Sequence, residues 1–172
     1  DTYVPAARES VALADLPDLE WHLIGPLQSN KAGIAASRFA WVQTVDRTKI
    51  AVRLAAARPA DMPPLSVCIQ VNASGEAAKS GVAPGEAVDL ARVVAGLPRL
   101  RLRGIMGIPE PTADSGLRRA QFRVLHDCFA ECRARGLPVD TLSMGMSADL
   151  EDAIAEGATL VRVGTSIFGA RG

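Results

Sequence analysis

Aromatic residues make up only 4% of the 172 residues, so a hydrophobic core has to be assembled from Ala, Val, Leu and Ile. Lysine is scarcer still. Lys31, Lys49 and Lys79 are the only three, and the rest of the positive charge is arginine. Neither sign of charge is in excess, with Lys+Arg at 19 and Asp+Glu at 19. That balance excludes the basic footprint of a nucleic-acid or anionic-membrane binder. Three cysteines, Cys68, Cys128 and Cys132, are too few and too irregular for a disulfide framework, and reduced thiols in a cytoplasmic compartment are expected. No apolar run reaches the roughly 18 residues a membrane-spanning helix needs, and no secretory leader is visible. The chain opens at Asp1 rather than Met, and Thr2-Tyr3-Val4 already read like the inside of a domain, so an upstream segment is expected.

What is present alternates. Strand patterns at Trp21–Ile24, Trp41–Val45, Ser66–Val71, Leu102–Ile108, Thr141–Met144 and Leu160–Val163 are separated by helical patterns ending near Arg38, Arg58, Ala95, Arg135 and Glu156. Tyr3-Val4 could be the stub of a further strand. No linker or shift of composition divides residues 1–172, so one domain is expected. Strict βα alternation implies a parallel sheet, doubly wound or closed into a barrel. Glycine and polar residues follow strand after strand: Gly25-Pro26, Asp46, Asn72-Ala73-Ser74, Pro109-Glu110, Gly145-Met146-Ser147, Gly164-Thr165-Ser166. A barrel gathers all these loops on one face and builds one site from them. A typical barrel takes about 250 residues, so one or two βα units are expected to be missing.

The ending Val161-Arg162-Val163-Gly164-Thr165-Ser166 carries the most chemistry. A glycine directly after a strand lets the backbone approach a ligand closely, and the amides that follow open a short helix, which favours an anion. An ordinary strand-to-helix turn is the competing reading. Arg162, within an apolar strand, needs a partner or a ligand. Ser147 ends a similar strand, as a helix cap or as a ligand contact. His22 reads as a hydrogen-bonded core histidine. His126, Cys128 and Cys132 share one helix at a spacing that matches no common zinc site, so no metal is expected. The loop Gly75–Gly81 carries Lys79 but lacks the ending of a phosphate-binding P-loop.

Taken together, these segments resemble the pyridoxal-phosphate homeostasis family, bacterial type. His22-Leu23-Ile24-Gly25-Pro26-Leu27-Gln28-Ser29-Asn30-Lys31 resembles its HxIGxLQxNK signature, and Lys79-Ser80-Gly81 its KxG loop. Arg103 to Pro109 is similar to its RGLMxIP strand, Ser143 to Asp149 to its SMGMSxD segment, and Arg162 to Gly169 to its RxGTxIFG ending. The match runs from about Tyr3 to Arg171. It implies an α/β fold, a (β/α)8 TIM-type barrel like the N-terminal domain of alanine racemase, here lacking its first βα unit. It implies pyridoxal 5′-phosphate as cofactor, with Ser147, Gly164 and Thr165 at the phosphate, Arg162 facing the pyridine nitrogen, and Met106, Ser143 and Met144 lining the pocket. The family's Schiff-base lysine sits on the first strand, in a VSK-like motif that this chain does not contain, upstream of a GENY-like segment that survives here only as Asp1-Thr2-Tyr3.

Three functions follow as expectations. The first is a non-catalytic carrier or regulator in vitamin B6 homeostasis, cytoplasmic and free of nucleic acid and membrane, with cofactor bound weakly and without a covalent bond. The second is a racemase-like enzyme. Arg162 disfavours it, because a carboxylate at the pyridine nitrogen strengthens the ring as an electron sink and an arginine does not. The third is a fragment that binds nothing. The intact family is expected to be monomeric. A barrel short of one strand exposes two edges, which favour association.

Overall fold

A computed structural model describes residues 19–76 and 79–169. Tyr3-Val4, the possible extra strand, lies outside them. Among the described residues six strands form one sheet: β1 (His22–Leu23), β2 (Trp41–Val45), β3 (Leu65–Gln70), β4 (Leu100–Met106), β5 (Thr141–Met146) and β6 (Leu160–Arg162). They lie in chain order, and every neighbouring pair is parallel. The connections carry α1 (Ala32–Arg38), α2 (Thr48–Ala57), α3 (Ala87–Ala95), α4 (Ser115–Ala134) and α5 (Leu150–Ala155), and α6 (Thr165–Phe168) follows β6.

Strands β2 and β3 are buried along their whole length, as parallel strands covered on both faces must be. The alternation of side chains sorts them into two layers. Val42, Val45, Leu65, Val67, Ile69, Leu102, Ile105, Leu142 and Met144 pack outward against the helices in one continuous core. Trp41, Cys68 and Met106 form a smaller cluster on the opposite face. Alanine supplies much of the helix side, at Ala32, Ala35, Ala36, Ala51, Ala87 and Ala91. Small side chains bring the helices close to the sheet, which is how a core so poor in aromatics is filled.

One hydrogen bond reports the curl of the sheet. Gln43 on β2 and Ser143 on β5 are three strand spacings apart, roughly 14 Å on a flat sheet. Yet the Ser143 hydroxyl donates to Gln43 Oε1 at 2.6 Å. Only a sheet rolled about its strand axis brings them together, so the face carrying Trp41 is the concave interior of a partial barrel. The doubly wound alternative is overturned by the sequential strand order and by this contact.

Element boundaries depart from the sequence pattern in small ways with local causes. Helix α4 begins at Ser115, before the expected Arg118, because the Asp114 carboxylate accepts from the Leu117 amide and caps it. Strand β1 keeps only two of four expected residues. Strand β4 starts at Leu100 and ends at Met106, short of Ile108.

Candidate functional site

The loops after β4, β5 and β6 enclose a cavity of about 530 Å³ at the C-terminal ends of the strands. Its wall includes Met146, Ser147, Asp149, Arg162, Thr165 and Ser166. Gly145, near the end of β5, sets the direction in which the chain leaves the strand. Its φ is +93°, and a Cβ there would lie 2.5 Å from the Cβ of Ala153, so glycine alone lets α5 pack this close while the loop turns toward the cavity.

Ser147 reaches across to the loop after β6. Its Oγ accepts from the Gly164 amide at 3.2 Å and from the Ser166 amide at 3.4 Å. It does not cap α5, and neither does the side chain of Asp149, whose Oδ1 accepts instead from the Met146 amide at 2.6 Å at the end of β5. A Cβ on Gly164 would meet nothing within 4 Å, so there is open space beside this backbone. With both amides turned to its oxygen, the Ser147 hydroxyl keeps its own proton to donate, and it stands beside the exposed Thr165 and Ser166 as a set of donors suited to an anion.

Arg162 forms the inner end of the cavity. It donates to Ser143 Oγ at 2.7 Å and to the Gly107 carbonyl at 2.9 Å. Neither partner is charged, and burial lowers its pKa. The hydrogen-bond partners of this arginine are therefore neutral, and the Asp149 carboxylate on the same wall acts against the lowering by burial.

Ser147, Arg162 and Thr165 come together on the cavity wall, with Gly164 behind it. Met106, Ser143 and Met144, expected to line the pocket, do not: none exposes any surface. Ser143 and Met106 lie deeper on the concave face. Met144 points the other way, into the helix-facing core, because successive residues of a strand face opposite sides. Arg118, unremarked in the sequence, also lines the cavity. It is held by Asp152 through Nε at 2.6 Å and by the Thr112 carbonyl at 3.0 Å. Its only signal is its place in the first turn of the helix after β4.

Below the cavity, polar groups run along the concave face. Ser143 donates to Gln43, and Gln43 Nε2 lies 2.7 Å from His22 Nδ1. The His22 ring stacks on Trp41, with centroids 4.8 Å apart and planes 11° apart. The Arg103 guanidinium lies 4.3 Å from the same indole and pairs with Asp140 at 2.8 Å. His22 is thus a hydrogen-bonded interior histidine, as its place in a strand suggests.

The lysines stand apart from this interior. Lys49 is exposed on α2, Lys31 closes a 3-10 turn, and Lys79 pairs with Glu110 at 2.5 Å between the loops after β3 and β4. The three cysteines are buried and free. Burial pushes the Cys68 thiol up to about 12 and those of Cys128 and Cys132 up to about 11. They are inert fillers of the core. Among the described residues no cluster of His, Cys, Asp and Glu could hold a metal ion, and no helix is long and apolar enough to cross a membrane.

The profile of a family described as alanine racemase, N-terminal domain, matches residues 4–172. A pyridoxal phosphate homeostasis protein from Pseudomonas aeruginosa is 57% identical over 166 residues, which cover 96% of this chain and 70% of that protein. PipY of Synechococcus elongatus, solved with PLP bound, superposes with a TM-score of 0.84 at 36% identity, covering 95% of this chain and 77% of its own. An alanine racemase from Clostridium difficile shares the fold at a TM-score of 0.80 and 14% identity, over 95% of this chain and 43% of that one. The chain spans between 65% and 70% of the length of the first curated relatives.

Proposed function

Since the chain belongs to the family described as alanine racemase, N-terminal domain, we propose that it binds pyridoxal 5′-phosphate without a covalent bond and serves vitamin B6 homeostasis rather than catalysis. The observation that carries this reading is the cradle in which Ser147 Oγ meets the amides of Gly164 and Ser166 beside a cavity with an arginine at its inner end. The residues fit the group. The hydroxyls of Ser147, Thr165 and Ser166 would hold the phosphate, and the open space beside Gly164 leaves it room. Arg162 would face the pyridine nitrogen. The names of the Pseudomonas relative and of the PLP-bound PipY support the same ligand.

The bound cofactor supplies an aldehyde and an electron-withdrawing ring. Arg162 limits the use of that ring, because a guanidinium donates and does not accept. Placed there, it would leave the pyridine nitrogen unprotonated, which would disfavour racemase-like chemistry. The buried free thiols support action in a reducing compartment such as the cytoplasm.

Calorimetric titration with pyridoxal 5′-phosphate tests the proposal. Thr165→Val and Ser147→Ala should each weaken binding by about 1.5–3 kcal/mol, the usual worth of a hydrogen bond to a charged group. Borohydride treatment of the loaded protein should label no single lysine stoichiometrically, and racemisation assays should show no turnover. Unchanged affinity in both variants would remove the cradle from the account. Stoichiometric labelling of one lysine would overturn the non-covalent reading.

A further inference from the structure

The concave face carries a chain of polar side chains from four strands: Arg162 on β6, Ser143 on β5, Gln43 on β2 and His22 on β1. Only Arg162 belongs to the cavity wall. Gln43 and Ser143 are buried, with 1% and 0% of their surface exposed. A buried polar network is retained when each member is satisfied, and its members then fix one another's orientation.

The direction of every bond in this chain follows from one end. A guanidinium has five donors and no acceptor. Arg162 therefore donates to Ser143 Oγ, and the single hydroxyl proton must go elsewhere. It goes to Gln43, whose amide must turn its oxygen to Ser143 and so its NH2 to His22. His22 Nδ1 must then accept, which leaves the imidazole neutral with its proton on Nε2. A protonated His22 presents N–H at Nδ1. It would force the Gln43 amide to turn over, and Ser143 would then face donors on both sides with no acceptor for its own proton.

We propose that Gln43, with Ser143, is a positioning residue that holds the Arg162 guanidinium in place at the base of the pocket, and that this relay requires His22 to be neutral and protonated on Nε2. The surroundings of His22 agree. Burial holds its pKa below the ordinary value; Glu20 opposes this, and Arg103, which lies over the Trp41 ring and pairs with Asp140, adds to the lowering. Stacking on Trp41 fixes the plane of the ring so that Nδ1 meets Gln43.

Two substitutions separate positioning from bulk. Gln43→Met keeps the size and removes both hydrogen bonds. Gln43→Glu keeps an acceptor for Ser143 and places a second one at His22 Nδ1, so the relay survives with His22 protonated. Long-range proton–nitrogen NMR on the labelled protein reads the ring directly. Wild type should show His22 as the Nε2–H tautomer at neutral pH. Gln43→Glu should raise its titration midpoint, and in Gln43→Met the Arg162 guanidinium signals should lose their slow exchange. Pyridoxal 5′-phosphate affinity, measured by calorimetry, should fall about tenfold in Gln43→Met, the worth of one hydrogen bond of about 1.4 kcal/mol, and stay near wild type in Gln43→Glu.

The ligand arm rests on the proposed pyridoxal-phosphate reading, and the NMR arm does not. If wild type binds no pyridoxal phosphate, that reading fails and the His22 tautomer still decides the relay. A His22 proton on Nδ1 in wild type overturns the relay, whatever binds. So does a folded Gln43→Met protein with wild-type Arg162 signals and wild-type affinity. If Gln43→Met does not fold, the wild-type tautomer and the Gln43→Glu titration carry the decision.

Discussion

The His22 imidazole accepts a hydrogen bond at Nδ1 and is held mainly by burial below its ordinary value of 6.5. An unfolded chain titrates near that ordinary value, so below it the unfolded state binds the proton that the folded state refuses. Stability contributed by the neutral ring is therefore complete above 6.5 and declines as the pH falls through the window between the unfolded and folded values. Melting temperatures at about pH 7.5 and about pH 5 should fall apart in wild type and converge in His22→Gln, once the loss common to other groups is subtracted. An identical pH dependence in the two proteins would show that His22 is not a linked group. The same scale separates residues that the sequence exposes from those it hides. Arg162 was legible, because an arginine amid Val161 and Val163 demands an explanation. Gln43 was not, because a glutamine in a strand looks like any surface polar group until Ser143 is found 2.6 Å away.

Among the elements, the junction of β4 and β5 is the most sensitive to side-chain size. Gly104 sits within β4 opposite Thr141 of β5. Its φ is +155°, and a Cβ there would fall 1.8 Å from the Thr141 carbonyl oxygen. A methyl group at this place cannot be accommodated without parting the two strands. Gly104→Ala should therefore destabilise the fold by at least roughly 3 kcal/mol, read as a shift of the denaturant midpoint. A shift of under about 1 kcal/mol would mean that β4 and β5 separate easily. Gly107 makes a useful comparison. A Cβ there would meet the Leu125 side chain at 2.4 Å rather than backbone, and a side chain can give way. The order of strands and helices was readable from alternation alone, and so was the break at Pro59–Pro64. The exact start of α4 was not, since Asp114 is one of several residues able to cap it.

At the scale of the whole molecule, a single helix-facing cluster joins α1, α2, α3, α4 and α5 to strands β2 to β5. Among the described residues no second core of comparable size divides it, so unfolding should be one cooperative transition. Tryptophan fluorescence, which includes Trp41 on the concave face, and far-ultraviolet dichroism, which reports the helices, should give the same midpoint. Two separated midpoints would show that the concave face melts independently. Saturating pyridoxal phosphate should raise that midpoint, because a ligand of the folded state alone adds stability by mass action. The sequence by itself determined the βα alternation, the parallel sheet and the gathering of Ser147, Gly164 and Thr165 after their strands, since each of these is set by local periodicity and turn chemistry. The curl of the sheet decided the rest. Ser147 serves the β6 loop instead of its own helix, Met144 faces the helices, and residues 100 apart in the chain share one hydrogen bond, because such contacts depend on strand register and curvature, which no short stretch of sequence encodes.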